Sequence, residues 1–180
     1  MPGLKLDCKV DLGSRSWAET TVVDDPDRQV IDTVVIGQDE YARRDTGRPW
    51  EHIDISRVAE RLRPGLVLED PDHAGVTKLL SGVQSATMDG PAISGVIDGS
   101  LALTARALTG VQSRVMQPVP FTAKLDDQGR LIKLVLSLPE RQEPKLPAGT
   151  WTLEITGYGS VDPPTAPAKF TEAPEDLYQQ

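Results

Sequence analysis

The sequence is poor in cysteine and in basic residues, and each shortage excludes a class of structure or function. Cys8 is the single cysteine among 180 residues, so no internal disulfide can form. Lysine and arginine total 19 against 27 aspartate and glutamate residues, which gives a formal net charge of −8. Nucleic acids and anionic lipid surfaces attract clustered basic residues, so this balance argues against both as partners.

Long apolar runs are also missing. No stretch of about 18 apolar residues occurs, so the sequence predicts no transmembrane helix. The first residues, Met1-Pro2-Gly3, lack the charged region and the following apolar region of a signal peptide. Taken alone, this start predicts a cytosolic protein, with a mature fragment that has lost its leader as the alternative.

A strong hairpin signal is present at residues 119–138. From Val119 to Leu125, apolar residues alternate with polar residues or proline, as in a strand with one buried face. Residues 126–129 favour a turn, because aspartate and glycine tolerate left-handed backbone. In the returning strand Val135 lies opposite the main apolar face, which is typical of a strand covered on both sides. We therefore predict a central hairpin in a sheet.

The rest of the chain predicts short strands joined by tight turns, interrupted by three amphipathic helices. Short turns favour antiparallel pairing, so the predicted fold class is α+β, with one curved antiparallel sheet and helices over its concave face. Residues 160–180 are rich in proline and acidic residues and predict a loose tail after a domain of residues 1–159. The predicted strands are residues 4–10, 15–23, 29–36, 39–42, 84–88, 92–97, 119–125, 131–138 and 151–155, and the predicted helices are residues 55–62, 70–83 and 100–108.

His52, Asp54 and Ser56 have the residue types of a hydrolytic triad. Nucleophilic catalysis also needs a strained turn or a nearby base and an oxyanion hole, and no nucleophile elbow accompanies these residues. Helix capping by Asp54 and Ser56 is the simpler interpretation. We therefore predict that the protein is not an enzyme.

Two acidic groups could be interpreted as metal sites, namely Asp70 and Asp72 with His73, and Asp24 and Asp25 with Asp27. Carboxylates at the start of a helix more often interact with the helix dipole. The second group lacks the spaced ligands and the terminal glutamate of a calcium loop. The sequence therefore predicts no metal and no cofactor.

Five motifs occur in a characteristic order. They are Val35-Ile36-Gly37 followed by Tyr41 and Trp50, Asp70-Pro71 followed by Gly75-Val76-Thr77-Lys78-Leu79-Leu80, Asp89-Gly90-Pro91-Ala92-Ile93-Ser94-Gly95, Val119-Pro120-Phe121, and Leu125-Asp126-Asp127-Gln128-Gly129-Arg130-Leu131. Together they resemble the LppX/LprG group of actinobacterial envelope lipoproteins, whose fold is similar to the LolA and LolB carriers. The resemblance spans residues 4–158, and the order of the motifs is more specific than any one of them.

This resemblance implies a half-barrel sheet, with helices over its concave face and an apolar cavity between them that binds acyl chains. It also implies an extracytoplasmic protein, tethered to the membrane by a lipidated segment that is absent from this chain. The expected partner is a lipid or another long apolar molecule, and the expected oligomeric state is a monomer. The expected lining residues are apolar and come from the helices and the central hairpin: Leu80, Leu101, Leu108, Phe121, Ile132, Leu134 and Leu136.

Cys8 departs from the family pattern. Residues 5–7 do not form a lipobox, because the position before a lipidated cysteine should be small and neutral. We therefore expect Cys8 to be a small buried apolar residue on a strand. A second function also remains open: an envelope module that binds a protein partner and whose core is filled, with the acidic surface and the proline-rich tail as its working parts.

Overall fold

The computed structural model describes residues 3–24, 27–58, 75–102, 108, 114–142, 145 and 147–179. The chain divides into two compact units. The first unit contains residues 2–71 together with residues 160–180, and the second contains residues 72–159. Each unit has its own sheet and its own apolar cluster.

The first unit is a six-stranded sheet in which five strands follow the chain order. The strands are β1 (Gly3–Asp11), β2 (Ser16–Asp24), β3 (Arg28–Ile36), β4 (Asp39–Arg44), β5 (Trp50–Asp54) and, from the end of the chain, β11 (Phe170–Glu172). Strands β1 to β5 pair antiparallel with their neighbours, whereas β11 pairs parallel with β5. Trp17, Val35 and Ile55 form the buried cluster of this unit.

Local turn chemistry sets the register of the first sheet. The carboxylate of Asp11 accepts hydrogen bonds from the backbone N–H groups of Gly13 and Ser14, which closes the turn between β1 and β2. Gly37, with φ of +62°, occupies the left-handed region that the two-residue turn between β3 and β4 requires. These turns follow directly from the residues that the sequence places between the strands.

The second unit is a five-stranded antiparallel sheet in the order β10-β9-β8-β7-β6. Its elements are α1 (Val76–Leu80), β6 (Val83–Asp89), β7 (Ala92–Ile97), a 3-10 turn (Gly99–Ala102), β8 (Val119–Leu125), β9 (Leu131–Leu138) and β10 (Gly149–Glu154). The predicted hairpin is therefore present, and β8 lies at the centre of the sheet with β9 beside it.

The turn of this hairpin is fixed by one carboxylate. Asp126 Oδ1 accepts hydrogen bonds from the backbone N–H groups of Gln128 and Arg130 at 3.0 and 2.8 Å. Gly129 adopts a φ of +77°, which glycine allows at little cost. The bond from the Arg130 backbone contributes most to a lowered pKa of Asp126, so this carboxylate stays charged and the turn keeps its acceptor.

The predicted fold class, an α+β half-barrel with three helices over its concave face, is wrong. The chain forms two sheets, one of them with a parallel pair, and α1 is the single α-helix within the described residues. Of the helix predicted at residues 55–62, the structure has a 3-10 turn at Ile55–Arg57 followed by an extended Val58, and residues 59–62 lie outside the described residues. Of the helix predicted at residues 70–83, Val76–Leu80 is helical and Val83 begins β6, and residues 70–74 lie outside the described residues.

The third predicted helix, at residues 100–108, begins in the 3-10 turn Gly99–Ala102, and residues 103–107 lie outside the described residues. Apolar residues three and four apart fit a helix, but they also fit a tight turn followed by a strand. The chain leaves helix α1 at Gly82, whose backbone N–H donates a hydrogen bond to Leu79 O. A Cβ on Gly82 would lie 1.9 Å from Asp98 O, so the chain turns here against the next hairpin.

The segment predicted as a loose tail carries regular structure. It contains β11, which joins the edge of the first sheet, and a 3-10 helix at Glu175–Gln179. Residues 160–180 thus group with residues 2–71, although more than eighty residues separate them along the chain.

We expect the two faces of β9 to respond differently to truncation. Leu134→Ala removes a side chain with no solvent exposure and should lower the free energy of unfolding by about 2–5 kcal/mol. Val135→Ala, on the opposite and half-exposed face, should cost about 1 kcal/mol or less. Denaturant unfolding monitored by circular dichroism measures both changes. Equal losses would contradict the one-sided core.

Candidate functional site

The apolar face of the second sheet carries most of the residues predicted to line a cavity. Leu108, Phe121, Leu134 and Leu136 belong to one buried cluster, with exposures between 0 and 4%. Leu80 is half-buried and packs against this cluster. These five predicted residues are therefore brought together, whereas the side chain of Leu101 lies outside the described residues.

Ile132 is displaced from this face by a β-bulge. Lys124 pairs with Lys133 and Leu125 pairs with Leu131, so Ile132 falls between two paired positions. The extra residue shifts the alternation, and Leu131 rather than Ile132 packs against the apolar cluster. The carbonyl of Ile132 instead accepts a hydrogen bond from the Ile155 N–H. A strict two-residue period could not reveal this shift.

The centre of the apolar face is covered within the described residues. Leu79 of α1, Ala102, Leu108 and Val115 belong to the same cluster as the sheet residues, and Leu134 and Leu136 have no exposed surface. An open depression of about 340 Å³ is bordered mainly by the opposite, polar face, at residues such as Thr122 and Lys133. The described part of the molecule thus has a filled centre under the sheet.

The apolar face extends beyond this cover at one end. Cross-strand partners share a face, and the register aligns Met88 with Ile93, Ile93 with Ala123, Ala123 with Leu134, and Leu134 with Leu153. Exposure rises along this row towards the edge strand: Leu134 is fully buried, Ile93 is half-buried and Met88 is 69% exposed. We call Met88, Ile93, Leu131 and Leu153 the apolar margin.

Sequence analysis missed a buried arginine beside this sheet. Arg114 is 3% exposed, and its Nη2 donates to the carbonyl oxygens of Leu138, Pro139 and Pro147 at 3.2, 2.5 and 2.8 Å. One guanidinium thus ties the end of β9 to the segment that leads into β10. Nothing in the local pattern around residue 114 distinguishes it from a surface arginine.

The described part of the first unit contains a polar cluster around His52. Nε2 lies 2.8 Å from Asp39 Oδ1 on β4, and Nδ1 lies 2.8 Å from Glu172 Oε2 on β11. The ring stacks on Tyr41 with 5.0 Å between centroids, and Phe170 approaches both rings. Burial lowers the pKa of His52, but the hydrogen bonds to Glu172 and Asp39 outweigh it, so the pKa is raised. When it is protonated, the imidazole of His52 therefore links two carboxylates.

This arrangement does not form a triad. Asp54 accepts hydrogen bonds from the backbone N–H and the hydroxyl of Ser56, so it caps the 3-10 turn, as predicted. Both ring nitrogens of His52 point to other carboxylates, and the hydroxyl of Ser56 donates to Asp54 rather than to the histidine. The geometry provides no activated nucleophile among these three residues.

The other sequence candidates resolve as follows. Cys8 lies exposed on β1, so the prediction of a buried cysteine is wrong. Asp70, Asp72, His73 and Asp25 lie outside the described residues, as does the side chain of Asp24. Within the described ranges no group of three or more histidine, cysteine or acidic residues has the geometry to hold a metal. No helix in those ranges is long and apolar enough to cross a membrane.

Comparison with solved structures found a distant likeness to a lipoprotein. No protein-family model matches the chain, and no curated protein matches it. A crystal structure of the lipoprotein LppX of Mycobacterium tuberculosis aligns over 77% of this chain and 79% of that chain, with 18% identity and a TM-score of 0.33. This likeness is too distant to establish a family.

We expect His52 to titrate above the ordinary imidazole pKa of about 6.5. Glu172→Gln removes one of the two carboxylates and should lower the pKa of His52, because one of the two hydrogen bonds that oppose the effect of burial is weakened. The matched control is Glu51→Gln, at an exposed neighbour of His52 on β5, which should leave the pKa of His52 unchanged. Proton NMR resolves the titration, since the chain has two histidines and His52→Gln identifies the other. A pKa at or below 6.5 in the wild type would contradict the linkage described above.

Proposed function

We propose that the second unit binds a long apolar molecule, such as the acyl chain of a lipid, without catalysing a reaction. The observation that carries the proposal is the apolar margin, where the core face of the sheet continues to an edge strand and Met88 is 69% exposed. Each methylene that such a ligand buries contributes about 0.8 kcal/mol, so a partly inserted chain can bind without charged contacts.

The geometry favours docking along the margin rather than deep insertion. Phe121, Leu134 and Leu136 are already packed, and a ligand at their position would have to displace side chains. Ile93, Leu131 and Leu153 are half-buried and offer surface beside the packed cluster. A chain lying across this row would cover Met88 and extend the core towards β6.

The second candidate function is a binding module with a filled core that recognises a protein partner. The complete burial of Leu134 and Leu136 favours it, because a packed centre leaves less room for a ligand. The two functions differ in what the apolar margin contacts, so substitutions on the margin separate them.

The proposal excludes enzymatic activity, on the ground that His52 and Ser56 are committed to carboxylates rather than to each other. We further propose an extracytoplasmic location, with tethering by a segment outside this chain. The order of the five sequence motifs supports this location.

Met88→Glu should weaken binding of a fluorescent fatty-acid probe at least about tenfold, which corresponds to roughly 1.4 kcal/mol. A carboxylate at this position would be desolvated by an acyl chain, and that desolvation opposes binding. The matched control is Thr87→Glu, which adds the same charge to the same strand but on the opposite, polar face. This control should bind the probe like the wild type.

Native mass spectrometry of protein purified from a lipid-rich host provides the complementary measurement, and we expect a co-purified lipid.

Leu134→Trp should overpack the centre and cost about 1–3 kcal/mol of stability. Absence of co-purified lipid and of probe uptake in the wild type would refute acyl-chain binding. Equal weakening by Met88→Glu and Thr87→Glu would refute the margin as its site.

A further inference from the structure

The end of the chain closes the β5 edge of the first sheet. Strand β11 pairs parallel with β5, with Phe170 opposite Trp50 and Glu172 opposite His52. The next residue, Ala173, donates its N–H to His52 O at 2.8 Å and is 8% exposed. We call residues 170–178 the C-terminal strap.

Side chains hold the strap beyond its short strand. Arg57 forms an ion pair with Glu175, and its guanidinium lies 4.0 Å from the ring centroid of Tyr178. The hydroxyl of Tyr178 accepts a hydrogen bond from the Asp54 N–H at 3.0 Å. These contacts attach the strap to the end of β5 and to the 3-10 turn that follows it.

The backbone hold on the strap is weak by itself. Strand β11 has three residues, and all three are exposed. The preceding stretch, residues 155–169, contains Pro163, Pro164 and Pro167 and forms no helix or strand. Short edge strands bury little apolar surface and open at low cost in free energy. The strap therefore depends more on side-chain contacts for its place in the sheet than a central strand does.

His52 is the contact that joins the strap to two strands of the sheet at once. As an imidazolium it donates to both Asp39 and Glu172; as a neutral ring it has one N–H, so one carboxylate faces a lone pair. The other groups around the ring are Tyr41 on β4, Phe170 on β11 and Asp54 on its own strand. Burial and the charges of Asp39 and Glu172 raise the pKa of Tyr41, so this phenol stays neutral while His52 titrates.

We propose that the C-terminal strap is a proton-controlled closure of the first sheet, docked on β5 while His52 is charged and released from it when His52 becomes neutral. Release exposes the N–H and C=O groups of the β5 edge, which can then pair with an extended segment of another chain. This inference concerns the first unit and is independent of ligand binding by the second.

The direction of the pH dependence follows from the raised pKa of His52 in the docked state. Docking adds the hydrogen bond of Glu172 to that of Asp39, which His52 keeps, so the contribution of His52 to docking is lost as the pH rises through the raised pKa. Each unit by which docking raises that pKa corresponds to about a tenfold change in the docking equilibrium. A rise in pH should therefore open the strap while the central strands stay closed.

Hydrogen exchange of the full chain tests the proposal at about pH 5.5 and about pH 8.5, on either side of the imidazole range. Protection factors of residues 170–173, corrected for intrinsic rates, are compared with those of β3. We expect the ratio to fall by up to about tenfold at the higher pH for each unit of pKa shift. In His52→Gln and Glu172→Gln the ratio should become nearly independent of pH, whereas Glu51→Gln should behave like the wild type.

The proposal is overturned if the wild-type ratio does not change with pH, or if both variants keep the wild-type pH dependence. Should His52→Gln fail to fold by circular dichroism, Glu172→Gln decides the question, because its side chain is 70% exposed and its removal does not disturb the core. Addition of a labelled peptide with the sequence of residues 168–180 and the change Glu172→Gln, whose own binding does not depend on the charge of His52, supplies a second measurement. Its uptake by the full chain should rise with pH, and uptake that is constant or falls would contradict release of the strap.

Discussion

The packing of Phe121, Leu134 and Leu136 on one face of the β8–β9 hairpin is the constraint on which the second unit depends. Every strand of its sheet contributes a residue to the rows that these side chains define. Gly95 shows how closely the neighbouring strands approach. A Cβ there would lie 2.0 Å from Ser85 O and 2.8 Å from the Phe121 ring, so only glycine lets β6, β7 and the phenylalanine occupy their positions.

The same constraint explains why the second unit has an apolar margin. A face that is buried in the centre must be apolar along each strand, and among the described residues the strands are longer than the cover that α1, the 3-10 turn, Leu108 and Val115 provide. Arg114 secures the opposite end of the sheet with its bonds to three carbonyls. Hydrogen bonds to carbonyl oxygens offset the cost of burying a guanidinium group. In this unit the bonds from Arg114 fix the path of the chain between β9 and β10.

The first unit is stabilised differently. Its buried cluster has three residues, Trp17, Val35 and Ile55, and much of its six-stranded sheet is half-exposed on both faces. Backbone pairing and polar side chains therefore carry a larger share of its order. Asp32 illustrates this, because it accepts from Thr20 on β2 and from Arg43 on β4 at 2.7 and 2.8 Å. The strength of such contacts depends on the charges of the groups that form them, whereas the packing of the apolar core of the second unit does not.

The sequence by itself determined nine of the eleven strands in the described residues, the hairpin at residues 119–138, the turn at Asp126 and the cap at Asp54, because each depends on residues within a few positions of one another, but it missed β5 and β11. Of the seven apolar residues that it predicted to line a cavity, five cluster at or beside the core of the second unit. It could not identify the bulge at Ile132, since a bulge depends on the partner strand. The helix predicted at residues 70–83 ends at Leu80 for a related reason: the spacing of its apolar residues also fits a tight turn followed by a strand, and packing of Gly82 against Asp98 selects the turn. Only the tertiary structure decided that the chain forms two sheets, and that Glu172 meets His52 across 120 residues. Pairings over such distances depend on loop closure and on the shape of both partners, which no local pattern of residues encodes.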